Sequence, residues 1–202
     1  MHLADKITKK IVTSDKFKMK REEALTFVTS WTSNKNLIKH MLAVEAAMKG
    51  LAVHFKEDIS LWGTIGLIHD ADYEKYPDKH PQILIDELVK SGESEVVISA
   101  IRSHAWRYNN FDQEPKTNLE WSLYTCDELT GLIVAVTLIR PEKKLSAVTV
   151  ENILSKWEKK DFAKGVDRKN IELCEEKLGI NLHDFIQIVL SSMQKISDSL
   201  GL

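Results

Sequence analysis

The stretch from Leu37 to Phe55 constrains the architecture most. Leu37, Met41, Val44, Met48, Leu51 and Phe55 recur at alternating spacings of four and three, the period that lays one apolar stripe along a helix. Asn34 stands just ahead as an N-cap. The next segment, Ile59 to Ile68, is apolar on most sides and ends at His69-Asp70, the pattern of a helix buried all round. No segment alternates at period two for long enough to make a convincing strand. Val148-Thr149-Val150 is the best short candidate.

Further helices follow the same logic. Pro81 sits at a first helical position and Gly92 just past the end of that helix, the asymmetry that brackets helices. Another helix is expected from about Ser94 to Ala105, followed by a loop from Trp106 to Lys116. Thr117-x-x-Glu120 is a capping box and opens a long apolar segment that stops at Arg140, before Pro141. An amphipathic helix from about Asn181 to Leu200 closes the chain. The expected fold is all-α: a helical bundle within residues 1–140, with a mostly helical C-terminal extension, 141–202, packed on the same core. A chain of 202 residues, 43% hydrophobic and 29% charged, can bury such a core without disulfides.

Composition narrows the partners. The 28 Lys+Arg nearly cancel the 30 Asp+Glu, so no dedicated nucleic-acid binding is expected. The longest apolar run, Leu132 to Ile139, is far too short to cross a bilayer. The first residues are charged and carry no apolar signal-peptide core. Cys126 and Cys174 form no metal-binding or redox pair and read as reduced thiols in a cytoplasmic protein.

The informative residues are polar ones on apolar faces. His40 lies three after Leu37 and four before Val44. His69 and Asp70 end the buried helix. His104 is three after Ile101, and Asp127 is four after Leu123 and seven before Val134. A buried carboxylate is costly unless it is paired or binds a metal. Two inward aspartates and three inward histidines, with no inward Lys or Arg to match, share one explanation in a divalent cation. Mixed imidazole and carboxylate donors suit Fe or Mn best, with Zn, Co, Ni or Mg also compatible. His54 and His183 read as ordinary surface or core residues, and His2 as part of a mobile terminus. Cys126 reads as a small core residue.

At these positions the chain resembles the HD superfamily of metal-dependent phosphohydrolases, whose motif H…HD…D is spread over successive helices of an α-bundle. Here it reads His40, His69-Asp70 and Asp127, within the words Lys39-His40-Met41, Gly66-Leu67-Ile68-His69-Asp70 and Cys126-Asp127-Glu128-Leu129-Thr130-Gly131. Asp161-Phe162-Ala163-Lys164-Gly165-Val166-Asp167-Arg168 resembles a C-terminal block in a branch known only as predicted HD hydrolases. The resemblance implies that His40, His69, Asp70 and Asp127 hold one metal. It also implies that Asp70 bridges to a second ion on His80 and His104. Branches with the word HD-x-x-K carry a Lys where this chain has Tyr73, which argues against the cyclic-dinucleotide phosphodiesterases.

The implied activity is hydrolysis of a nucleotide or another small phosphate ester, with one or two metal ions acidifying water and neutralising phosphoryl charge. Asp70 or Asp72 is expected to steer the nucleophile or take its proton. Lys39, Arg102 and Arg107 are expected to orient the phosphate, and Tyr73 and the triplet Trp106-Arg107-Tyr108 to line the pocket and stack on a base or sugar. The basic run Lys156, Lys159, Lys160, Lys164 and Arg168 is a candidate flap over a phosphorylated substrate. Two other functions fit the same motif: a diiron oxygenase of the HD type and a non-catalytic HD binding module. Oligomeric state is not legible.

Overall fold

The computed structural model describes residues 17–159 and 161–202. The expectations about the N-terminal segment, including His2, and about Lys160 lie outside the described residues. The described residues form ten helices and no strand, an all-α fold. No helix among them is long and apolar enough to cross a membrane.

The helices start and stop where local chemistry directs. α1 (Arg21–Trp31) leads through Thr32 into α2 (Lys35–Phe55), whose first amides, Asn36 and Leu37, donate to the Asn34 side chain. α3 (Ile59–Ile68) is capped by Asp58, which accepts from the Ser60 and Leu61 amides. α4 (Gln82–Ser91) ends on Gly92 in the left-handed conformation, the backbone state glycine adopts without penalty. α5 (Glu95–His104) precedes a loop that leads to α6 (Asn118–Leu138), where both bonds of the Thr117–Glu120 capping box are made.

Two expectations beyond Arg140 change. Val148-Thr149-Val150 is not a strand: Thr149 accepts from the Asn152 amide and caps the short α7 (Val150–Leu154). Three residues are too few for a strand pairing to compete with a satisfied cap. After α8 (Arg168–Leu178), the closing helix is divided into α9 (Leu182–Gln194) and α10 (Ser197–Leu200). The turn at Lys195–Ile196 brings α10 back onto α2 and buries Leu200.

The core is continuous across both expected segments. α2 packs on α3, α6 and α9, and α8 packs on α6. Met41, Met48, Leu51, Ile65, Leu123 and Phe185 are among its fully buried side chains. At Gly66 the neighbour is backbone: an added Cβ would lie 2.8 Å from the Val44 carbonyl oxygen. That approach lets the C-terminus of α3 lie beside the His40 turn of α2. α6, the central helix, buries Thr125 and Thr137 by back-bonding their hydroxyls to the Trp121 and Ile133 carbonyls at 2.7 and 2.8 Å.

Candidate metal centre

Four histidine rings converge from four segments, each oriented through Nδ1. His69 donates from Nδ1 to the Gly66 carbonyl at 2.9 Å, one turn back along α3. His104 does the same to the Ile101 carbonyl on α5. His80 pairs its Nδ1 with Asp72 Oδ1 at 2.6 Å. The Thr130 hydroxyl donates to the Asp127 carbonyl at 2.8 Å, leaving its oxygen to accept His40 Nδ1 at 3.4 Å. Carbonyl and carboxylate partners only accept, so Nδ1 carries the proton and Nε2 presents a lone pair. Fixing the far nitrogen in this way is how ligand histidines are held.

The four Nε2 atoms meet around Asp70. Asp70 Oδ2 lies 3.7 Å from His40 Nε2 and 3.5 Å from His69 Nε2. Asp127 Oδ1 closes this group, 2.9 Å from His40 Nε2 and 3.5 Å from His69 Nε2. Asp70 Oδ1 faces the other way, 3.3 Å from His80 Nε2 and 3.8 Å from His104 Nε2. The two trios, His40–His69–Asp70 and Asp70–His80–His104, each bring their ligand atoms within 4.8 Å of one another. Asp70 is common to both.

Two observations fit cations at this place. His69 Nε2 is buried and has no hydrogen-bond partner, a costly arrangement for a core group. His80 Nε2 and His104 Nε2 lie 3.1 Å apart, although both are lone-pair atoms once Nδ1 is protonated. A shared positive charge relieves both. In the metal-free site protons must serve. Burial alone would push His69 down, but Asp70 and Asp127 outweigh it and lift the ring to about 9. Burial opposes ionisation of Asp70 and Asp127 as well, and the charge on His69 reverses the balance, holding both carboxyls well below their usual range. At His104 burial prevails over the Asp70 bond and lowers the ring.

Local packing holds the pieces in register. Glu74 accepts from the Ser33 and Asn34 amides at 2.8 and 2.9 Å, and Thr32 Oγ1 donates to the Ala71 carbonyl. These bonds fasten the turn after Asp70 to the start of α2, which carries His40. Glu120 accepts from Ser99 on α5 at 2.6 Å as well as closing its capping box. That bond couples the helices of His104 and Asp127.

The remaining expected residues divide. Asp72 is not open to a nucleophile. It is fully buried, with Oδ1 on His80 and Oδ2 accepting the Leu84 amide at 2.9 Å. It positions His80 at the head of α4. A cleft of about 590 Å³ opens onto Asp70, His80, His104 and Asp127. Tyr73 and Arg107 line it, together with Trp106. Arg107 adopts positive φ and lies 3.8 Å over the Trp106 ring. Lys39 and Arg102 do not reach it. Lys39 lines a separate cleft behind His40, near Leu200 and Leu202, and Arg102 pairs with Glu95 at 3.6 Å. Both stand one or two residues from a ligand on the same helix, where side chains diverge by 100–200°.

The expected basic flap also differs. Arg168 donates to the Phe162, Ala163 and Val166 carbonyls. Lys156 lies over the Phe162 ring, and Lys164 lines a separate depression. The C-terminal segment brings Gly165, Asp167 and Asn170 to the cleft instead. Tyr108, Tyr124 and Glu128 complete the lining. Glu128 follows Asp127 directly, and burial with the Asp127 charge pushes its carboxyl up to about 7. Its place beside Asp127 was the available sequence signal. Asp167 falls in the block Asp161–Arg168 that resembles predicted HD hydrolases, which gave it no role at the site, and nothing local marked Asn170.

Residues 37–132 match the family model described as HD domain. That segment contains both histidine pairs and the two aspartates, and the match agrees with the helical fold and with the ligand geometry. Over residues 37–132, just under half of its length, the chain is similar to HD domains.

Proposed function

We propose that this protein is a divalent-metal-dependent phosphohydrolase acting on a small phosphate ester. The observation that carries this reading is the division of Asp70, with one oxygen facing His40 and His69 and the other facing His80 and His104. His40, His69, Asp70 and Asp127 would hold one ion, and Asp70, His80 and His104 a second. The imidazole-rich donor set favours Fe or Mn. Metal bound there supplies acidified water and charge neutralisation for phosphoryl transfer.

The chain's own groups do the rest. Asp72 holds His80 in one tautomer and one orientation. Arg107, stacked on Trp106, offers a planar fork for phosphoryl oxygens at the cleft wall. Tyr73 and Tyr108 flank the opening above His80, placed to pack on the organic part of a substrate. Both cysteines are buried and reduced, which suits a cytoplasmic setting.

Phosphate release by the metal-loaded protein, assayed without oxygen on a panel of small phosphate esters, tests this. Metal-dependent release that disappears in Asp70→Ala, together with the bound metal, is expected. Oxygen consumption with a bound polyol or phosphonate, and no phosphate release, would replace the hydrolase with an oxygenase. Metal binding with no turnover of either kind would leave a binding module.

A further inference from the structure

The charges that line the cleft bear on substrate choice, given the hydrolase reading above. Among the described residues, Arg107 is the one cation expected at the phosphate that reaches it, and the only Lys or Arg lining the cleft. Four carboxyl groups line the same space: Asp70, Asp127, Glu128 and Asp167. Ionised, they balance the charge of two divalent ions and leave Arg107 as the surplus positive group among the described residues that line the cleft.

The outer two carboxyls keep an oxygen in reserve. Glu128 Oε2 accepts the Asp167 amide at 3.3 Å, and Asp167 Oδ1 accepts the Lys169 amide at 3.0 Å. Glu128 Oε1 and Asp167 Oδ2 have no hydrogen-bond partner among the described residues. Tyr73 and Tyr108 line the same cleft and are 40% and 45% exposed, which leaves their rings available for contact. A tail of further phosphates would run from the metal centre along a wall that repels it. A neutral group bearing hydroxyl or amino donors would find acceptors there and aromatic rings in the same cleft.

We infer that the cleft selects esters with a single phosphoryl group on a hydroxyl- or amino-bearing organic part, and discriminates against di- and triphosphates. The basis is one cation and two carboxyls outside the proposed ligand set, lining the cleft around a shared-aspartate centre. Glu128 and Asp167 are thereby specificity-determining residues.

Binding and turnover separate this inference from the hydrolase reading. A nucleoside monophosphate and its triphosphate are titrated into the metal-loaded protein with no free divalent metal, followed by calorimetry, and phosphate release is measured in parallel. The monophosphate is expected to bind at least about tenfold more tightly. Raising the salt should shrink that ratio, because the repulsion is between partly exposed charges. In Glu128→Gln/Asp167→Asn the ratio should fall to about threefold or less, while metal content stays unchanged. A single variant, Asp167→Asn, serves if the double variant fails to fold, with a smaller fall expected. Triphosphate bound as tightly as monophosphate, or binding of neither, overturns the inference. Selective binding without phosphate release upholds it and removes the hydrolase reading. Release from both with triphosphate preferred does the reverse.

Discussion

At the scale of single residues, the protein buries charge and orients it through second partners. Asp72 is the clearest case, since its carboxylate reaches His80 but not the cleft. Asp72→Asn is expected to weaken the second metal by about 10- to 100-fold while sparing the first. Stepwise metal titration would resolve the two sites, and equal weakening of both would refute the positioning role. Proton competition gives a second test. His69, held at about 9 in the metal-free site, must lose its proton to bind metal through Nε2. Metal affinity is therefore expected to rise with pH up to about 9, with proton release on binding near neutral pH. Calorimetry in two buffers of different ionisation enthalpy measures that release. The convergence of Asp127 and His104 was legible in the sequence, because both occupy positions where the helical period calls for apolar side chains; His80 came only from the family resemblance. Asp72 was misjudged because sequence gives adjacency to Asp70 but no direction: at a turn, neighbouring carboxylates point apart.

At the scale of elements, capping chemistry was the most readable feature. Asn34, Thr117 and Gly92 act where their side chains or conformations predict. The failures came where a short pattern had two outcomes, as at Thr149, or where a periodic stripe ran through a turn, as at Ile196. Helix contact can be tested at Gly66. A methyl there meets the Val44 carbonyl oxygen and Met48 Cγ at 2.8 and 3.0 Å, so α3 must move away from α2. Gly66→Ala is expected to cost about 1–3 kcal/mol in denaturant unfolding. It should also weaken metal binding, since the Gly66 carbonyl anchors His69. An unchanged midpoint would mean that the two helices are not in close contact.

At the scale of the whole molecule, the C-terminal segment completes the cleft rather than simply covering the core. Asp167 and Asn170 arrive from far along the chain, and no local period reports such a meeting. That is why a basic flap was expected where carboxylate and amide groups line the wall. The same segment sets an alkaline limit on stability. Burial, reinforced by Glu175 and Glu172, pushes the Cys174 thiol up to about 12. Above pH 9, the ordinary value, the unfolded chain gives up this proton while the folded chain keeps it. Stability is therefore expected to fall as pH rises from about 9 toward about 12. Thermal melts at about pH 8.5 and 10.5 should show the loss, with a shallower slope in Cys174→Ala; identical slopes would contradict it.

The central claim is that one aspartate serves two histidine pairs. Metal equivalents per chain, measured by elemental analysis after anaerobic loading with Fe or Mn, test it most directly. The account predicts about two in the native protein, about one in His80→Ala and none in Asp70→Ala. Full occupancy in Asp70→Ala, or no metal taken up by the native protein, would contradict it.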